Sequence, residues 1–154
     1  MTANVPQSSA DHPREFFSED ETRQLIRAIQ AAELRTSGEI RIHIESSCDD
    51  PVERARQVFA ELGMDHTEER NGVLFYLATD SRLFAVLGDV GFDERVDAGF
   101  WQGIRDAALD SFRKGEFLAG LIDGVRTAGE SLAKHFPRRS DDANELPDEI
   151  SFGK

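Results

Sequence analysis

The stretch Val73–Leu87, VLFYLATDSRLFAVL, contains two apolar runs separated by a short polar segment. Val73–Thr79 and Leu83–Leu87 are short, nearly unbroken and rich in aromatic and branched residues, which is typical of buried strands. The polar segment Asp80–Arg82 leaves room only for a tight turn between them. The stretch therefore predicts an antiparallel β-hairpin at the centre of the fold.

A third strand and a helix are predicted upstream of the hairpin. In Glu39–Glu45, EIRIHIE, isoleucines alternate with polar residues, as in a strand with one apolar face. Asp50 followed by Pro51 is a typical helix start, and Gly63 is a suitable stop. A strand, a helix and a second strand in this order predict a parallel pair with a right-handed crossover.

Further helices are predicted on both sides of this unit. A capping box that begins at Ser18 starts the first helix, and Asp93 is predicted to cap a helix after the hairpin. The last helix is predicted over residues 116–135, with Pro137 as its stop. The order α-β-α-β-β-α-α predicts an α/β fold, a three-layer α/β/α sandwich around a small mixed sheet.

Only the middle of the chain has the periodicity of a folded domain. Residues 1–15 are polar and aperiodic and are predicted to be a disordered N-terminal segment. Residues 16–137 are predicted to form the α/β/α domain. Residues 138–154 form a charged tail, and Ile150 and Phe152 can dock its end on the domain.

The composition excludes several classes of protein. The 154 residues carry a formal net charge of −12, which disfavours binding to nucleic acid. No stretch approaches the roughly 20 apolar residues of a membrane span, and no secretory signal is recognisable. The single cysteine, Cys48, excludes an intrachain disulfide. We therefore expect a cytoplasmic protein without membrane insertion.

Strand direction places three glycine-containing motifs at one end of the sheet: TSGE (36–39), RNG (70–72) and GDVG (88–91). The first two precede parallel strands, and the third follows an antiparallel strand. We therefore expect Glu39 and Asp89 to share this end, with Asp93 close by. Carboxylates and glycine-loop carbonyls are suitable ligands for Ca²⁺ or Mg²⁺, so Glu39, Asp89 and Asp93 are the candidate metal ligands.

Each of these residues also has a purely structural interpretation. Glu39 can be a solvated residue at a strand start, and Asp93 can be only a helix cap. Arg70 can pair with either acid and neutralise this end of the sheet without any ligand.

The remaining motifs point to no other chemistry. The histidines at positions 12, 43, 66 and 135 lack the spacing of a zinc site, and His43 is predicted to be a surface residue. No nucleophile elbow, phosphate-binding loop or dinucleotide fingerprint occurs.

An ordered set of motifs carries a family resemblance over about residues 15–154. The segments TSGEIRIHIE, RNGVLFYLA and GDVGF, then FRKGEFLAGLIDGV, LAKHFP and the closing NELPDEISFGK, together resemble the TPM-domain family. That family includes thylakoid-lumen proteins similar to acid phosphatases. The resemblance implies an α/β/α sandwich, Ca²⁺ binding and, as in some plant members, phosphatase activity. It assigns the acidic positions to Glu39 and Asp89.

Two main functions are consistent with these features. The first is a divalent-cation-binding module, with Ca²⁺ as the expected ion, that recognises a protein partner. The alternative is a metal-assisted acid phosphatase acting on phosphate monoesters, with Asp89, Glu39 and Arg70 as catalytic candidates. A structural role in a larger complex is a third possibility.

Overall fold

A four-stranded mixed sheet lies at the centre of the computed structural model, which describes residues 13–138 and 150–153. The strands are β1 (Glu39–Glu45), β2 (Gly72–Ala78), β3 (Leu83–Gly88) and β4 (Ser151–Phe152), in the spatial order β3-β2-β1-β4. β1 is parallel to both β2 and β4, and β2 is antiparallel to β3. The predicted hairpin and the parallel crossover are both present.

Five α-helices accompany the sheet: α1 (Glu19–Glu33), α2 (Pro51–Glu61), α3 (Val90–Asp93), α4 (Phe100–Arg113) and α5 (Phe117–His135). The predicted capping box of Ser18 is formed, and the Asp50 side chain caps α2 with Pro51 in the first turn. Two 3-10 turns cover Pro13–Glu15 and Met64–His66. Among the described residues, no helix combines the length and the apolar character that crossing a membrane would require.

The helices cover the two faces of the sheet unequally. Leu25 of α1, Ile104 of α4 and Leu121 of α5 are buried in the same cluster as Ile42 of β1. On the other face, α2 packs over β2 and β3 in a smaller apolar cluster. The structure therefore confirms the α/β sandwich, and it leaves the second face of β1 largely outside the cover of α2.

The segment after β3 differs from the prediction. Asp93 does not cap a long helix, because it is the last residue of the four-residue helix α3. The cap is Asp89, whose side chain accepts a hydrogen bond from the N–H of Val90. Helix α3 begins directly where β3 ends, and α4 starts only at Phe100. The predicted order therefore lacked one short helix.

The chain ends also differ from their predicted state. Pro13–Glu15, placed in the disordered segment by the sequence, form a 3-10 turn in which Pro13 is buried. The tail contributes strand β4, which was not predicted; its neighbour Ile150 is buried, and Phe152 packs against the core cluster. Residues 1–12, 139–149 and 154 lie outside the described residues.

Candidate functional site

The starts of β1 and β2 and the end of β3 form one end of the sheet, here called the near rim (Glu39, Gly72 and Asp89). Glu39 pairs with Gly72 across the parallel ladder. The N–H of Asp89 donates to the carbonyl oxygen of Gly72 at 2.9 Å. The two carboxylates therefore share the end of the sheet that strand direction indicates.

Asp89 is held by a paired guanidinium. Arg70 donates from Nε to Oδ2 at 2.7 Å and from Nη2 to Oδ1 at 2.9 Å. The hydrogen bond and the charge of Asp89 raise the pKa of Arg70. The Asp89 side chain is only 5% exposed, whereas that of Arg70 is 46% exposed. Arg70 thus neutralises a buried carboxylate while remaining accessible to solvent.

The three candidate metal ligands do not converge on one point. Glu39 is buried on β1, two strands away from Asp89, which corresponds to roughly 10 Å between strand axes. Asp93 is exposed, and its Oδ1 accepts a hydrogen bond from the indole of Trp101 at 2.7 Å. Within residues 13–138 and 150–153, no group of three or more His, Cys, Asp or Glu residues is arranged to hold a metal ion.

Asp89 and Asp93 border a groove of about 700 Å³ along the outer edge of β3, here called the β3 groove. Five consecutive strand residues, Phe84–Gly88, form its floor. Alternate side chains of a strand point to opposite faces, so all five can line one groove only if it runs along the edge of the strand. The walls are Val52, Arg56 and Phe59 from the α2 side and Trp101, Gln102 and Arg105 from α4.

A second polar cluster lies on the face of β1 that α2 leaves uncovered. Glu45 is its centre: Arg54 donates from Nε to Oε2 at 2.8 Å and from Nη2 to Oε1 at 3.0 Å. The hydroxyl of Tyr76 also donates to Oε2. Nε2 of His43 lies 3.1 Å from Oε1, and Nδ1 of His43 lies 2.7 Å from the hydroxyl of Ser151 in β4. The cluster thus connects β1, β2, α2 and the C-terminal strand.

Burial and hydrogen bonding oppose each other in this cluster. Burial alone would raise the pKa of Glu45, but the hydrogen bonds from Arg54, Tyr76 and His43 outweigh it and lower that pKa to about 2. Burial lowers the pKa of His43, and the nearby Glu45 only partly compensates. Burial raises the pKa of Tyr76. The cluster therefore contains an ionised carboxylate beside a neutral imidazole at pH 7.

The prediction that His43 is a surface residue is wrong. His43 is buried and stacks on Tyr76, with ring centroids 5.9 Å apart. β1 lies inside the sheet between β2 and β4, so its polar face is enclosed as well as its apolar face. The signal in the sequence was the tyrosine within an otherwise apolar strand, since a buried hydroxyl needs a partner.

Comparison with known families follows from this geometry. The family model described as the TPM domain matches residues 11–131. The chain belongs to the TPM-domain family. Comparison with curated proteins gives no match.

Solved structures resemble this TPM domain to different degrees. The NMR structure of the BA42 protein from the psychrophilic bacterium Bizionia argentinensis is 43% identical, with a TM-score of 0.83, over 90% of this chain and 96% of that one. The N-terminal domain of the cg2496 protein from Corynebacterium glutamicum is 16% identical with a TM-score of 0.56, covering 84% of this chain and 81% of that one. An N-terminal domain from P. gingivalis is 21% identical, also with a TM-score of 0.56, covering 80% and 82%. The last two share the fold.

The stability of this TPM domain is expected to fall in two steps on acidification. The pKa of His43 is lowered in the folded state, so its contribution is present above about pH 6.5 and declines as the pH falls below that value. The pKa of Glu45 is lowered to about 2, so its contribution is present above about pH 4.5 and is lost towards pH 2. Urea unfolding monitored between pH 8 and pH 2 measures both steps.

Two histidine variants test the assignment of the upper step. His43→Gln should remove the decline between about pH 6.5 and pH 5 and keep the lower one. His66→Gln, at an exposed site, should leave both steps unchanged. An upper step that persists in His43→Gln would show that another group is responsible.

Proposed function

We propose that this TPM domain is a divalent-cation-binding module, with Ca²⁺ preferred over Mg²⁺, that also recognises a protein partner. The observation that carries the proposal is the position of Asp89 and Asp93 at the open end of the β3 groove. The two residues are one helical turn apart, which brings like charges close together. A hard cation relieves this repulsion, and water completes its coordination shell.

Glu39 and Arg70 have different roles in this proposal. Glu39 adds negative charge to the near rim from β1, two strands away. Arg70 is the resident counter-charge of Asp89 and must turn towards solvent before a cation can replace it. Its half-exposed side chain permits this movement. Competition with Arg70 predicts weak binding, in the submillimolar to millimolar range of extracellular calcium modules.

The phosphatase alternative requires a different use of Arg70. Phosphate binding needs the planar fork of the guanidinium, and that fork is engaged with Asp89. The arrangement favours a binding role over hydrolysis. If the purified protein hydrolysed p-nitrophenyl phosphate and both Asp89→Asn and Glu39→Gln abolished the activity, the alternative would replace the present proposal.

Calcium is expected to raise the melting temperature of the protein. A concentration ten times the dissociation constant adds about 1.4 kcal/mol to the free energy of unfolding, which corresponds to about 3–6 °C for a domain of this size. Asp89→Asn and Asp93→Asn should each abolish most of the rise, and Glu39→Gln should reduce it. Asp110→Asn, which changes an exposed carboxylate on α4, is the matched control.

The variant Arg70→Gln separates this mechanism from general ion effects. Without calcium it should destabilise the protein, because the buried carboxylate of Asp89 loses two hydrogen bonds. With calcium it should show a larger rise in melting temperature than the wild type, because the competing charge is gone. An equal or smaller rise would contradict the exchange, and no rise in any variant at millimolar calcium would refute the cation proposal.

A further inference from the structure

The two edges of the sheet are treated differently by the chain. At one edge, β4 pairs with β1. At the other, β3 is the outermost strand, and no described segment pairs with its outer side. An open edge presents N–H and C=O groups that can pair with another chain. Proteins commonly protect such edges with charges or proline, and Leu83–Gly88, LFAVLG, contains neither.

The hydrogen-bond phase identifies the backbone groups that face outwards. The N–H of Asp89 points to Gly72 of β2. Bonded residues alternate along an antiparallel strand, so the N–H and C=O groups of Phe84, Val86 and Gly88 point away from β2. These groups face the β3 groove, where an added strand would find a ladder of partners.

The walls of the β3 groove provide apolar contacts for such a strand. The ring of Trp101 lies so close to Gly88 that a β-carbon there would overlap it, which keeps the indole beside the open edge. Val52 is exposed on the opposite wall. The volume of about 700 Å³ lies within the range of specific ligand sites, which is about 300–1,000 Å³.

The charges of the walls indicate the kind of partner. Arg56 on α2 and Arg105 on α4 line opposite walls, and their side chains are 67% and 49% exposed. Their ion-pair partners are surface acids at 3.9 Å and 3.5 Å, and such pairs contribute little and open readily. A protein with a net charge of −12 thus has two arginines facing each other across an apolar groove.

We propose that the edge of β3 binds an extended acidic segment of a partner protein as a fifth strand of the sheet. The backbone of the segment pairs with Phe84, Val86 and Gly88, its apolar side chains contact Trp101, and its carboxylates reach the two wall arginines. A second copy of this chain fits less well, because Leu83–Gly88 brings no carboxylate to the arginines. The inference rests on the partner-binding half of the proposed function and is independent of the cation.

A capped peptide of alternating valine and glutamate is the probe for this site, and the same peptide with lysine in place of glutamate is its control. In amide NMR titrations with EDTA present, the glutamate peptide should shift Phe84, Val86, Gly88 and the indole of Trp101 with saturation. The lysine peptide should bind at least about fivefold more weakly, as expected from the loss of two charge contacts. Repeating the titration with calcium distinguishes failure of the peptide proposal from failure of the cation proposal.

Variants test the wall and the edge separately. The double variant Arg56→Glu and Arg105→Glu should reverse the preference between the two peptides, whereas Arg27→Glu on α1 should not change it. Val86→Pro removes an outward-facing donor without breaking a bond to β2, and it should weaken both peptides. The proposal is overturned if no saturable shift occurs at Phe84–Gly88, or if both peptides bind equally. It is also overturned if the same shifts grow with protein concentration alone, since the occupant would then be a second copy.

Discussion

Replacing Arg54 by glutamine is expected to lower the free energy of unfolding by about 3 kcal/mol. The substitution removes both guanidinium hydrogen bonds from Glu45, whose side chain is 5% exposed. His43 and Tyr76 still contact the carboxylate, but no positive charge remains to compensate its burial. The melting temperature should fall by about 6–12 °C in thermal unfolding followed by circular dichroism.

Two further variants show whether the buried charge is the cause. Arg56→Gln lies on the same helix, where its only ion pair spans 3.9 Å at the surface, and it should change stability by less than about 0.5 kcal/mol. The double variant Arg54→Gln and Glu45→Gln should recover part of the loss, because the uncompensated charge is then absent. If Arg54→Gln had no larger effect than Arg56→Gln, the cluster would not contribute to stability in the way described.

The hairpin and the crossover could be predicted because each depends on a local pattern. Val73–Thr79 and Leu83–Leu87 are apolar throughout, and the short polar link between them allows only an antiparallel turn. Strand β1 has the predicted bounds, Glu39–Glu45. Strand β4 could not be predicted, because two residues have no periodicity and their pairing depends on the edge of a sheet formed more than a hundred positions earlier.

The near rim was predictable only to the level of strand direction. Direction alone places Glu39 and Asp89 at the same end of the sheet. It does not give the lateral order of the strands, and β2 lies between the two acids. Nor does it reveal that Arg70 pairs with Asp89 through both of its donor positions, because that depends on side-chain geometry.

The cluster around Glu45 was missed for a related reason. An alternating strand is interpreted as having one buried and one solvated face. That interpretation fails for β1, where His43, Glu45 and their neighbours on the polar face are also buried. The enclosing groups come from distant parts of the chain, namely Arg54 and Tyr76 on one side and Ser151 on the other.

Gly91→Ala is expected to destabilise the protein by about 3 kcal/mol, at the upper end of the cost of overpacking. An added β-carbon would overlap the carbonyl oxygen of Glu69 and lie 2.7 Å from that of Arg70. Both contacts are backbone atoms, so no side chain can move aside, and α3 must separate from the loop that carries Arg70. The same displacement should pull Arg70 away from Asp89 and so weaken their ion pair.

Gly103→Ala is the matched control for this substitution. Gly103 lies inside α4 with nothing within 4 Å of an added β-carbon, so alanine there should stabilise the protein by about 0.5–1 kcal/mol. Urea unfolding of both variants gives the comparison directly. A loss below about 1 kcal/mol for Gly91→Ala would mean that α3 and the loop can separate at little cost, and Arg70 would then be held far less firmly against Asp89 than its two hydrogen bonds indicate.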